Sequence, residues 1–342
     1  MLTTWQNFLT TQAAGIADGR VTDFGDATGE RTASRSGTAL VDLSHFSVIE
    51  ATGDDAQAFL QGQLTNDVTR LAPGSVQLNG YCTPKGRLLA TFPMWRQTGN
   101  YYMLLPADIA PAIQKRLSMF VLRSKVKLTN ASDLTVRLGI AGGEASSALT
   151  DAFGSAPPGP GAAAFVDGAT IIALTGSRFI ALVAADRAVA AWHSLARHAR
   201  PADSAVWDWL TIRAGEPVIV AATQEQFVPQ MVNFELVGGV DFKKGCYPGQ
   251  EIVARMQYLG KLKRRMYLAH VVANSATAGS ELFSANLEGQ AAGMIVNAAP
   301  APDGGFDVLA VIQMESAQNH SVHFGSPDGP ALALESLPYQ VL

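Results

Sequence analysis

"KKGCYPGQEIVAR", residues 243–255, is the stretch on which the reading of this chain turns. It carries Cys246, one of only two cysteines, behind two lysines and ahead of a proline–glycine pair. Gly245 frees the backbone before the cysteine, and Pro248-Gly249 turns the chain. "QEIVARM" then reads as a helix start, with Gln250 and Glu251 in the first turn, where the helix dipole favours a carboxylate. Cys246 therefore sits beside Lys244 and just ahead of a helix N-terminus, and both features favour a reactive thiolate. On the residues alone, Cys246 is a candidate nucleophile, metal or cluster ligand, redox sensor, or small buried hydrophobe. Cys82, inside a strand pattern next to Tyr81, reads as an ordinary packed residue.

The whole chain narrows the field. Its 342 residues are too many for one compact core, so two or three domains are expected. With 48% hydrophobic and 16% charged residues it is globular and not disordered. A net charge of −4 argues against a protein built to wrap nucleic acid. Two cysteines and no CxxC pair exclude a disulfide scaffold. "MLTTWQNFLTTQ" reads as a short helix and not a signal peptide, and no stretch approaches the ~20 apolar residues of a membrane span. The expected location is the cytoplasm, with no membrane partner. The six histidines show no HxxxH or HExxH spacing, so no resident metal is expected. GxGxxG, P-loop and GxSxG motifs are missing as well.

Charge is uneven. Lys243 to Arg265 holds seven basic residues against one acid, Glu251, and "QKRLSMFVLRSKVK" (114–127) holds five and no acid. These are two solvated faces or the walls of an anion site, for a carboxylate-bearing cofactor, a phosphate or an RNA. Neither cluster has the aromatic interleaving of a single-strand-binding platform, which favours a small anionic ligand over nucleic acid.

Coarse periodicity gives an α+β chain. "ALVDLSHFSVIEATG" (39–53) reads as strands, with Asp54 and Asp55 placed to cap the next segment. "VQLNGYCTPKGRLLATFPMW" (76–95) reads as a hairpin turning at Pro84-Lys85-Gly86. Ile109, Ile113 and Leu117 share a helical face. "GSAPPGPGAAA" (154–164) reads as an exposed loop. "DRAVAAWHSLARHA" reads as a helix capped by Asp186. After about residue 262, short alternating runs suggest a small antiparallel barrel or sandwich. The expected division is a body over 1–261 and a β-barrel over 262–342.

The nonapeptide 243–251 resembles the KGCYxGQE motif of the YgfZ family of folate-binding proteins, which has a mitochondrial branch and is similar to the glycine-cleavage T-protein, an aminomethyltransferase. "FLQGQLTNDV" (59–68), "YCTPKGRLLATF" (81–92), "RLSMFVLRSKVKL" (116–128), "AGEPVI" (214–219) and the run from 227 to 255 agree, in the family's order. The resemblance implies a T-protein-like body of two intertwined α+β subdomains plus a small C-terminal antiparallel β-barrel. It implies tetrahydrofolate or a one-carbon folate as cofactor. It also implies a role in iron–sulfur cluster assembly or repair, with assembly proteins or cluster-containing client enzymes, such as those that thiolate tRNA, as partners. On this resemblance Cys246 and Lys244 are the functional pair, in a loop with Tyr247, Gln250 and Glu251. Lys85, Arg87, Asn66, Asn233, Arg255 and Tyr247 are the candidate folate contacts. The T-protein's paired aspartates fall at Ala90 and Thr91, neither of which accepts a proton. Its folate-facing glutamate falls near Arg213, with Glu216 displaced. The alternatives are a folate-dependent one-carbon transferase and a non-catalytic adaptor of the cluster machinery.

Overall fold

A computed structural model describes residues 1–166 and 168–341. The chain forms two interleaved compact units: Met1–Ala56, Leu71–Gln77 and Pro93–Trp207 in the first, Gln57–Arg70, Leu78–Phe92 and Asp208–Leu342 in the second. The C-terminal sheet thus groups with segments 57–70, 78–92 and the chain from 208.

In the first unit, a six-stranded sheet runs in the order Ala163–Val166, Ala169–Ala173, Arg178–Ala184, Thr135–Ala141, Ala39–Asp42, Arg200–Ala202. The last pair is parallel and the others antiparallel. Alternate residues such as Leu138 and Ile140 meet Trp5 and Leu9 of the helix Thr3–Thr11, Leu149 of Ala145–Phe153 and Trp192 of Ala188–Leu195 in one core. The Trp5 and Trp192 rings pack edge to face at 5.7 Å. The helix Ala110–Met119 buries Ile113 and Leu117, as its spacing requires.

One capping expectation fails here. The helix Ala188–Leu195 has Arg187 at its N-cap and no side-chain cap, with Asp186 one position before the cap in a turn closed by Arg187 N on Ala184 O. Asp54 and Asp55 bracket Lys125: the Asp55 carboxylate accepts its backbone N–H at 2.7 Å, and Asp54 pairs with its ammonium at 3.4 Å.

In the second unit, the C-terminal strands lie in the order Val322–Phe324, Glu281–Ser284, Ala291–Pro300, Phe306–Gln313, Arg264–Val271, Leu332–Glu335, all antiparallel. A bridge between His323 and Ala331 brings the outer strands toward each other, giving a curled half-barrel. Residue parity sorts its two faces. Val308, Ala310 and Ile312 join Val271, Leu282 and Ile295 in one core. Leu309 and Val311 point the other way, against Met266, Ile212, Phe227 and Phe234.

Candidate functional site

The loop 243–249 is fixed by a backbone contact that only glycine permits. Gly249 has φ +83° and precedes the helix Gln250–Tyr258. A Cβ there would lie 2.4 Å from the Thr83 carbonyl oxygen and 2.6 Å from Gly86 Cα. Gly86, at φ +69°, closes the Thr83–Arg87 turn, in which Gly86 N donates to Thr83 O at 2.9 Å and Thr83 N to Arg87 O at 2.8 Å. The two motifs "TPKGR" and "YPGQE", remote in sequence, are thus packed main chain to main chain. Gln230 anchors the helix by donating to the Val253 carbonyl at 2.7 Å.

The side chains of the loop alternate in direction. Lys244 and Tyr247 are each 7% exposed, whereas Cys246 between them is exposed. The Lys244 ammonium donates to the carbonyls of Gln61 and Leu64 at 2.6 and 2.5 Å and lies 5.1 Å from the centre of the Tyr247 ring. Its own carbonyl accepts from Gln250 at 3.3 Å. Burial pulls the Lys244 ammonium down to about 8, opposed by the carboxylates of Asp67 and Asp241. Burial, with Cys82 nearby, raises the Tyr247 hydroxyl above its ordinary range. Burial also pushes the Cys82 thiol up to about 12, which leaves it inert. Two buried anchors thus hold one exposed thiol.

Lys244 carries a pH prediction. Its pKa is about 8 folded against 10.5 for the ordinary side chain, so between those values the unfolded chain binds more protons than the folded one. Stability from this group therefore rises with pH across that window, by at most about 3.5 kcal/mol at ~1.4 kcal/mol per unit. Denaturant melts of wild type and Lys244→Met should diverge in favour of wild type from pH 8 to 10.5. A difference that stays flat with pH would show that the ammonium is not desolvated.

The other expected residues separate into groups. Glu251, Arg255 and Lys85 are exposed, and Arg87 is half-buried with its guanidinium on the Gln226 carbonyl. Asn66 and Asn233 are engaged internally. The Asn66 amide donates to the carbonyls of Leu78 and Gly238 at 2.8 and 2.7 Å. Asn233, buried at φ +55°, donates to Met266 O at 2.9 Å and accepts from Arg265 at 3.3 Å. Ala90 and Thr91 are buried, and the Thr91 hydroxyl donates to Pro217 O at 2.8 Å and accepts from Ile219 N at 3.1 Å. Arg213 pairs with Glu335 and Asp307.

The sequence reading missed a cleft of about 280 Å³ in the first unit. Val48, Gln97, Thr135 and Leu182 line it, together with Trp95 and Tyr102, whose rings stack at 5.5 Å and 14°. Trp95 Nε1 and Thr135 Oγ1 are buried without a hydrogen-bond partner. A signal for this pair existed. Thr98 and Gly99, both at positive φ, make a two-residue hairpin turn, and its register sets Trp95 opposite Tyr102.

The architecture defines a class, proteins with the aminomethyltransferase fold. Residues 20–157 match the GCVT N-terminal domain. Glycine cleavage system aminomethyltransferase T from Bartonella henselae superposes with a TM-score of 0.83 at 18% identity, over 98% of this chain and 97% of its own. The tRNA-modifying protein YgfZ of Sodalis glossinidius is 31% identical over 306 residues, 88% of this chain and 93% of that protein. The Klebsiella pneumoniae protein of the same name is 29% identical over 91% of this chain and 95% of its own. The chain belongs to the YgfZ family. Among the described residues, no helix is long and apolar enough to cross a membrane.

Proposed function

We propose that this chain binds a tetrahydrofolate and supports the iron–sulfur clusters of tRNA-modifying enzymes through the Cys246 thiol, without transferring an aminomethyl group. The observation that carries this reading is the exposed Cys246 held between the buried Lys244 and Tyr247. A thiol so placed reaches a partner's sulfur or cluster while its backbone stays fixed. Ala90 and the hydroxyl of Thr91, tied to Pro217 O and Ile219 N, supply no carboxylate for aminomethyl chemistry.

In this reading the ring system of the folate lies in the first-unit cleft. Its apolar and aromatic walls suit a flat heterocycle. Trp95 and Thr135, two of its lining residues, each carry a buried polar atom without a hydrogen-bond partner. At about 280 Å³ it has room for the pteridine but not the whole molecule with its glutamate. When bound, folate would supply one-carbon or reducing chemistry; the protein's part is to stack the ring and hold it out of water.

The test is complementation. In cells deprived of their own family member, expressing this chain should restore cluster-dependent tRNA thiolation. Unrestored thiolation, with the chain present at normal level, would overturn the reading.

A further inference from the structure

We infer that the surface around the end of helix Gln250–Tyr258 docks an unpaired stretch of RNA, with Tyr258 as the stacking platform. The choice of RNA over DNA rests on the tRNA-modification reading above. Folding sorts the seven cations of segment 243–265. Lys244 turns inward onto carbonyls, and Arg265 pairs with Glu235. Lys243, Arg255, Lys261, Lys263 and Arg264 remain exposed, against one exposed carboxylate of the segment, Glu251. Sequence spacing alone showed no stacking platform, but packing supplies one. Tyr258 is 67% exposed and is steadied by Phe242, edge to face at 6.1 Å. That contact brings Phe242, the neighbour of Lys243 in the chain, against the last residue of the helix carrying Arg255.

The chemistry selects among polyanions. Protein interfaces are depleted in lysine, and three of these five cations are lysines. Paired bases leave an exposed aromatic ring nothing to stack on, whereas splayed bases do. Exposed cations on a backbone-tracking surface, with one aromatic ring among them, are the elements of sequence-tolerant single-strand binding.

The experiment is filter binding of the full chain to an RNA stem–loop, a fully paired RNA duplex and poly-glutamate. The stem–loop should bind best, with affinity falling about fifty- to a hundredfold between ~50 and ~200 mM salt, as four to five phosphate contacts require. Tyr258→Ala should weaken it about tenfold, and Lys261→Glu/Lys263→Glu/Arg264→Glu on the order of a hundredfold. These side chains are exposed, and unchanged thermal melts would show the fold intact. Undetectable stem–loop binding at low salt, indifference to the variants, equal binding of the duplex, or tighter binding of poly-glutamate would each overturn the inference. The outcome is separable from complementation. A chain that restores thiolation but binds no RNA loses only this inference, and one that binds RNA but restores nothing loses only the functional reading.

Discussion

Cys246→Ser should fail to restore cluster-dependent tRNA thiolation while folding, melting and binding folate like the wild type. The exposed side chain contributes little to packing, so exchanging sulfur for oxygen costs well under 1 kcal/mol of stability. The hydroxyl is neither a soft ligand nor a nucleophile at neutral pH, so any step through sulfur is lost outright. Cys82→Ser provides the contrast. That thiol is buried in the core with Leu88 and Met266, so its replacement should lower stability by burying a hydroxyl, yet leave thiolation intact wherever the protein folds. Full activity of Cys246→Ser would remove sulfur chemistry from the account and leave an adaptor.

Gly249→Ala should destabilise the second unit by about 3 kcal/mol or more and disorder the loop that carries Cys246. A left-handed residue with a Cβ costs about 1–2 kcal/mol by itself. Here the added carbon also meets main-chain atoms of Thr83 and Gly86, at 2.4 and 2.6 Å, which no rotamer change relieves. Gly245→Ala is the control, since nothing lies within 4 Å of its Cβ position and it should melt like the wild type. Chemical denaturation of both variants, with protease cleavage at the loop as a second probe, checks this. Equal stability of the two would mean that the turns are not in contact.

Much of this was legible in the chain, for reasons that are local. The turn at Gly86, the helix start at Gln250 and the alternating strands after residue 262 follow from glycine conformation and period-two patterning. The directions of the loop side chains were not legible. Adjacent lysines look alike in sequence, yet Lys244 is buried because the carbonyls of Gln61 and Leu64, far away in the chain, come to meet it. Asn66 and Asn233 looked like ligand contacts because they stand in the family's motifs. The structure has their amides on backbone carbonyls, a partner set visible only after folding. The Trp95–Tyr102 stack was within reach, because the Thr98-Gly99 turn fixes its register. The parallel pairing of Arg200–Ala202 with Ala39–Asp42 was not, because long-range parallel contacts leave no local mark.

Calorimetric titration of the purified chain with tetrahydrofolate tests the central claim most directly. Saturable binding at one site per chain, kept in Cys246→Ser and weakened in Trp95→Phe, is the predicted result. Absence of saturable heat in the wild type would contradict the folate reading and leave the loop thiol without its proposed cofactor.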